Sequence, residues 1–449
     1  MKTNNLWKRL LIISALGLAL SGIPAYPPSG ETSAAGPMAS SESPAGTGMT
    51  AHMTIANDTV IEWNLEAVRL TILPASALSP VQQNRVMAIV QVAVHDAVNG
   101  ITGKYAAYLS PGPAPQNASP EAAAIAAAHH ALRNLFSGHT ASLDTLYQTS
   151  LGSHGLSDTD PGVEYGRSAA AAILALRAND NSAQAQFNYI PPDAGTPGVW
   201  VPLPNTTALL PGWGNVTPWV LRSGSQFRPE APPALDSNRY ARDYNEIKEI
   251  GVSSSSTRSD EQTQIANFWR GSPTAIWNPA LNQVVAARNL DLSETARTFA
   301  LFYMAASDAS VACWDAKYAY NFWRPQPAIH SGDLDDNDST ASEGAWQPLL
   351  ATPPHPEYPS GHSSVTGAMA STLKFLFGDD PGVPIVVTIS GITRQWDTFS
   401  EGIQEVIDAR VYSGIHFRTA DEVGARLGRQ VARFVWNHAL KRCPKRGCS

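Results

Sequence analysis

The C-terminal third of the chain carries three short stretches whose residue types could grip an anion. They are Lys317-Tyr-Ala-Tyr-Asn-Phe-Trp-Arg324-Pro325, Pro359-Ser360-Gly361-His362 and Arg410-Val-Tyr-Ser-Gly-Ile-His416. Lys317, Arg324 and Arg410 are fixed or near-fixed cations, and Arg410 brings a planar fork of donors matched to paired oxygens. His362 and His416 can move protons near neutral pH. Ser360 offers a hydroxyl, and Gly361 allows close approach to a backbone N–H at a helix start, where such groups lack partners and the helix dipole is positive. Together these groups suit a compact tetrahedral oxyanion held in one place.

Each stretch alone has a plainer reading. Lys317 and Arg324 lie two helical turns apart, so they share a helix face if the helix runs through both, with Pro325 ending it. Cations so spaced also describe a solvated face. Their neighbours Trp314, Tyr318, Tyr320, Phe322 and Trp323 argue for burial instead, and a buried cation needs an anionic partner. Pro-Ser-Gly-His reads alone as a capped helix start, and a lone His416 as a structural histidine. The joint occurrence carries the inference.

The elements that must position these groups read as helices. Helical length and pattern predict them over 81–99, 121–136, 162–178, 239–250, 259–270, 293–320, 361–377, 400–412 and 420–440, with Ser259 as an N-cap. The best short strand signal is 384–390. Residues 185–233 are crowded with Pro, Gly and Trp (Trp200, Trp213, Trp219); so long an irregular stretch is either a functional lid or a wrap that seals the core with aromatics. Two rounds of helices on either side of it could form two bundles. The expected fold class is all-α, helical bundles with long irregular loops.

Composition bounds the rest. With 449 residues, 43% of them hydrophobic, the chain can bury a large core. A net charge of -7 argues against a broad nucleic-acid surface but leaves room for a small basic pocket. Lys2, Lys8 and Arg9 precede the apolar run Leu10 to Leu20, and Ala25 offers a small residue for cleavage. Residues 1–25 are therefore expected to be a signal peptide, the alternative being an uncleaved anchor, and the product secreted or periplasmic with no stable membrane span after processing. Residues 26–55 read as a flexible linker, 56–442 as the helical domain with the oxyanion site in 300–425, and 443–449 as a tail. Cys443 and Cys448 are close enough to pair or can be two free thiols, while Cys313 reads as a small buried hydrophobe. The acidic loop Asp333, Asp335, Asp336, Asn337, Asp338 lacks the Gly and Glu of a calcium loop and reads as a solvated turn. His129-His130 reads as a helix-face pair without a metal.

The order and spacing of the three stretches (Lys-six-Arg-Pro, then Pro-Ser-Gly-His, then Arg-five-His) resemble the signature of the vanadium-dependent haloperoxidase and type 2 phosphatidic acid phosphatase superfamily. The His95-Asp96-Ala-Val-Asn99 stretch, the Trp-rich loop and Pro354-His-Pro-Glu-Tyr-Pro-Ser-Gly-His362 look like its bacterial haloperoxidase-like branch. The resemblance implies a nearly all-α fold with the site in a bundle. It implies that Lys317, Arg324 and Arg410 hold the equatorial oxygens of vanadate, or of phosphate in the same site, with Ser360 and the Gly361 N–H as further donors. His416 becomes the axial imidazole, a vanadium ligand or a phosphoryl-accepting nucleophile, and His362 the acid–base. Trp314 and His355 match positions near the halide site, where histidine goes with bromide more than chloride; His355 reads otherwise as a loop residue without substrate contact.

Three activities follow in order. The first is a secreted vanadate-dependent haloperoxidase that uses hydrogen peroxide, a halide and a small organic acceptor. The second is a metal-free acid phosphatase with His416 as nucleophile, and the third a non-catalytic oxyanion-binding protein. Two departures bear on the choice. Ala409 stands where the family pattern often has Ser. Ala420 stands where it often has an Asp that orients the axial imidazole, and Asp421 comes one residue later. If Asp421 cannot reach His416, the nucleophile of a phosphatase is less activated.

Overall fold

Helix starts are written into this chain as capping residues. Ser119, Asp160, Ser237, Ser259, Ser272, Asp291, Ser360 and Thr398 each accept a first-turn backbone N–H through the side chain, satisfying donors that have no intrahelical partner. The computed structural model describes residues 59–444, and thirteen α-helices and one two-stranded hairpin occur among them. The readings of 1–25, of 26–55 and of Cys448 fall on or reach into residues outside that range. No helix among the described residues is long and apolar enough to cross a membrane.

The first round comprises α1 (Thr59–Ile72), α2 (Pro80–Thr102), α3 (Pro120–Leu135), α4 (Thr140–Ser153) and α5 (Pro161–Arg177). The Ala-rich run 122–128 of α3 is fully buried, which lets α2 and α5 pack closely on it. The second round comprises α6 (Asn238–Ile250), α7 (Asp260–Phe268), α8 (Pro273–Arg288), α9 (Leu292–Tyr320), α10 (Pro325–His330), α11 (Gly361–Phe377), α12 (Phe399–Tyr412) and α13 (Arg418–His438). Helix α9 is buried almost all round, as a helix apolar on every face must be. It packs on α2 on one side and on α11 and α13 on the other.

Helices α11 and α13 approach to backbone contact. A side chain at Gly428 would collide with the Ser364 carbonyl, and one at Gly424 would sit 2.7 Å from the Ser360 carbonyl. This close approach holds the Ser360 turn against α13, where Ser360 N–H donates to the Ala420 carbonyl at 3.0 Å.

The helix through Lys317 ends at Tyr320, as expected, so the condition for sharing a face with Arg324 is not met: Asn321 caps the helix at φ 47°, and Arg324 is extended at φ −81°, ψ 158° ahead of α10. Pro325 excludes the helical conformation from the residue before it, and Asn tolerates the left-handed one. Other expectations are corrected. The helix expected over 259–270 stops at Phe268. Helices α1, α4, α8 and the short α10 escaped the sequence reading; α8 holds Pro279 in its interior, a residue normally read as a breaker. The strand expected over 384–390 is β1 (Ile385–Ile389), and it pairs antiparallel with β2 (Ile392–Trp396), Ile385 opposite Trp396. The acidic loop is not wholly solvated: Asp335 is buried and accepts from Thr340 Oγ1 at 2.7 Å and from Asn337 N–H at 3.1 Å.

The irregular stretch 185–233 wraps around α9. Trp200, Trp213 and Trp219 are all buried. The Leu209 carbonyl accepts from Trp314 Nε1 at 3.2 Å and Tyr318 OH at 2.8 Å. Buried Asp308 of α9 accepts from the backbone N–H groups of Trp219, Val220 and Leu221 at 2.6, 2.8 and 3.0 Å. Backbone donors that would otherwise be orphaned are thus tied to the central helix.

Candidate oxyanion site

The site is built where α9, the 354–360 segment, and the ends of α12 and α13 meet beneath the turn between α7 and α8. Lys317, on the last turns of α9, is fully buried and donates to the carbonyls of Pro356 at 2.7 Å and Glu357 at 3.0 Å. Arg324, 1% exposed, donates through Nε to the His355 carbonyl at 2.9 Å, and through Nη1 to the Ile415 carbonyl at 2.8 Å and His416 Nε2 at 3.1 Å. Arg410, near the end of α12, donates through Nη1 to the Trp269 carbonyl at 2.8 Å, while its Nε has no partner. Gly414, at φ 76°, turns the chain after α12 so that His416 comes back toward Arg324.

The two imidazoles are set differently. His416 is buried, and its Nδ1 lies 2.9 Å from Glu357 Oε1. A guanidinium can only donate, so Nε2 is the accepting nitrogen and Nδ1 carries the proton given to Glu357. His362 is partly exposed on the first turn of α11; its Nε2 lies 3.0 Å from the Gly271 carbonyl. A carbonyl can only accept, so Nε2 carries the proton and Nδ1 keeps its lone pair. Desolvation and nearby Arg410 hold His362 well below its usual pKa, and desolvation with Arg324 and Lys317 does the same for His416. Both are neutral at pH 7.

Burial pushes Lys317 down to about 7 and Arg324 and Arg410 down to about 10. It pushes Glu357 upward against the pull of Arg324 and Lys317, and Asp421 up to about 7. Three basic groups therefore share one dry cluster with two carboxyl groups, and the charged form of each basic group would gain from a further anion.

Trp314, three residues before Lys317, is 4% exposed and stands 5.0 Å from the His355 ring, centre to centre. His355 accepts from Arg324 Nη2 at 2.9 Å through Nδ1. Ser360 Oγ caps α11, accepting from Ser363 N–H at 3.5 Å. A side chain at Gly361 would press on Trp314 at 3.2 Å, so glycine keeps the start of α11 open. All nine residues singled out from the sequence fall in this one region.

Sequence reasoning missed the groups that orient them. Asp421 does not serve His416; it accepts from Ser363 Oγ at 2.7 Å. The carboxylate beside His416 comes from Glu357, in the middle of the His-Pro-Glu-Tyr-Pro run, so Ala420 leaves no gap in the imidazole's support. A Glu flanked by Pro and Tyr in an apolar stretch was the available signal. The carbonyl of Trp269 was hidden by extending α7 too far, although Gly-Ser-Pro after Arg270 is a turn signal that also marks Gly271.

Comparison with known proteins gives a consistent picture. The family model described as the VCPO second helical-bundle domain matches residues 297–444. The vanadium chloroperoxidase of Curvularia inaequalis is 26% identical over 193 residues, 35% of this chain and 31% of the relative, so the match spans about a third of that protein. Among solved structures, the first bacterial vanadium-dependent iodoperoxidase is 28% identical with a TM-score of 0.73, covering 86% of this chain and 97% of that one. The apo form of a bacterial vanadium-dependent chloroperoxidase, 18% identical, shares the fold with a TM-score of 0.66 over 80% of this chain and 94% of that one.

Proposed function

We propose that this chain, which belongs to the vanadium haloperoxidase superfamily, is a vanadate-dependent haloperoxidase that oxidises a halide with hydrogen peroxide and passes the halogen to a small organic acceptor. The carrying observation is the meeting of Lys317, Arg324 and Arg410 with the accepting nitrogen of His416 in one buried cluster. The donor set fits vanadate: three cations for its oxygens, the unpartnered Arg410 Nε among their donors, and a neutral imidazole lone pair. The chemistry vanadate supplies when bound is Lewis-acid activation of peroxide toward halide, without redox change at the metal.

In this reading Lys317, Arg324 and Arg410 would neutralise the oxyanion, Ser360 Oγ and the Gly361 N–H would donate to it, and His416 Nε2 would supply a nitrogen ligand. Lys317 then stays protonated, because a nearby anion opposes the desolvation that lowers its pKa. His362, neutral and partly exposed, takes a proton at Nδ1 and returns it to solvent. Trp314 and His355 form the wall beside which the halide is held, with bromide preferred over chloride. The basic and apolar run at residues 1–25 directs export.

The deciding assay scores peroxide-driven halogenation of a phenol dye with iodide, bromide and chloride, and hydrolysis of p-nitrophenyl phosphate, each with and without orthovanadate. Halogenation that requires vanadate, faster with bromide than chloride, is expected. Hydrolysis inhibited by vanadate, with no halogenation, would transfer the site to phosphomonoesters. In a companion measurement, Arg410→Ala weakens orthovanadate retention by roughly ten- to a hundredfold in equilibrium dialysis; unchanged retention would remove Arg410 from the anion's surroundings.

A further inference from the structure

Among the described residues, Glu357 is the one carboxylate that touches His416, and its arrangement is unusual. It is fully buried. Its Oε1 takes the His416 Nδ1 proton at 2.9 Å and the Phe417 backbone N–H at 3.0 Å, whereas Oε2 is buried without a partner. The backbone of the same residue accepts from Lys317 Nζ at 3.0 Å. Glu357 therefore ties the His416 imidazole, the chain behind it and one of the cations into a single unit.

We infer that Glu357 is a positioning residue that holds His416 in the tautomer whose Nε2 lone pair faces the oxyanion, and so makes the site select vanadate over phosphate. The inference rests on the function proposed above. Its physical basis is a difference between the two anions. Vanadium can accept a nitrogen lone pair as a further ligand, whereas bound inorganic phosphate is held by charge and hydrogen bonds alone. An imidazole locked with Nδ1–H outward and Nε2 inward adds to vanadate binding and adds little to phosphate binding. Any charge that Glu357 carries acts in the other direction. A carboxylate beside the site opposes both anions alike, so a residue kept there merely as a countercharge would change both affinities together.

The test combines equilibrium dialysis of orthovanadate and of inorganic phosphate with nitrogen NMR of the metal-free, histidine-labelled chain, on wild type and Glu357→Gln. Glutamine preserves size but has no charge, and its amide can present either a donor or an acceptor to Nδ1. In the wild type, His416 is expected to show a protonated Nδ1 and a bare Nε2. In Glu357→Gln the tautomers mix, and the ratio of vanadate to phosphate affinity falls by about tenfold or more, with phosphate affinity equal or higher. Affinities that shift together, or not at all, overturn the inference. So does a wild-type His416 that carries its proton on Nε2, a result that needs no variant to fold. If the wild type holds no vanadate, the proposed function falls, while the metal-free tautomer still decides whether Glu357 orients the ring.

Discussion

Replacing His416 with alanine is expected to abolish vanadate-dependent halide oxidation, a loss on the order of a thousandfold or about 4 kcal/mol. In the proposed site the other groups would bind the oxyanion through charge or hydrogen bonds, and His416 would supply the ligating nitrogen, the one that Arg324 Nη1 reaches at 3.1 Å. The deletion also leaves Glu357 with only the Phe417 N–H on Oε1, and Arg324 without one of its acceptors. Free imidazole added to the variant should restore part of the activity, because the cavity left by the ring opens beside the same donors. Rates with increasing orthovanadate, with and without imidazole, provide the measurement. A variant that keeps full activity at saturating vanadate would exclude an axial role for this residue. Unfolding measured in parallel separates a lost ligand from a lost fold.

The largest expected effect on stability lies away from the site. Asp308→Ala removes the acceptor for three consecutive backbone N–H groups, those of Trp219, Val220 and Leu221, in a buried setting. An unsatisfied buried donor costs roughly 1–3 kcal/mol, and relaxation of the 185–233 stretch would recover part of the sum, so a net destabilisation of about 3–5 kcal/mol is expected. Asp308→Asn should lose less, since its amide oxygen still accepts. Denaturant unfolding of the three proteins gives the order wild type, Asn, Ala. An alanine variant within about 1 kcal/mol of wild type would show that the loop does not depend on this anchor for its donors. Arg177 stacks on Trp219 with 4.4 Å from guanidinium to ring centre and is paired with Asp180 at 2.8 Å, so the anchored segment is also braced from α5.

Much of the fold was legible because its signals are local. Capping serines and aspartates, prolines at first helical turns and Ala-rich or apolar runs of helical length depend on neighbours a few residues away. The start of α11 at Gly361 and the end of α9 at Tyr320 were readable for that reason. Helix α8 was not, because Pro279 sits in its interior and tertiary packing overrides the local penalty. The hairpin partner β2 was missed because Ile392–Trp396 mixes Thr, Arg and Gln with its apolar residues, whereas β1, of the same length, is a run of β-branched residues.

The sequence by itself determined the chemical inventory: three cations, two imidazoles, a Ser-Gly helix start, and an order of stretches that points to one family of oxyanion sites. The tertiary structure decided how those groups are used. It set Arg324 in an extended conformation ahead of Pro325, and gave Asp421 to Ser363. It supplied the Glu357 carboxylate for His416 and the Trp269 and Gly271 carbonyls for Arg410 and His362. The division has a physical reason. Residue types and helix signals act over a few positions along the chain, whereas a tautomer or a buried ion pair depends on partners up to 141 residues away, as with Arg410 and Trp269, which only the packed fold brings within hydrogen-bonding distance.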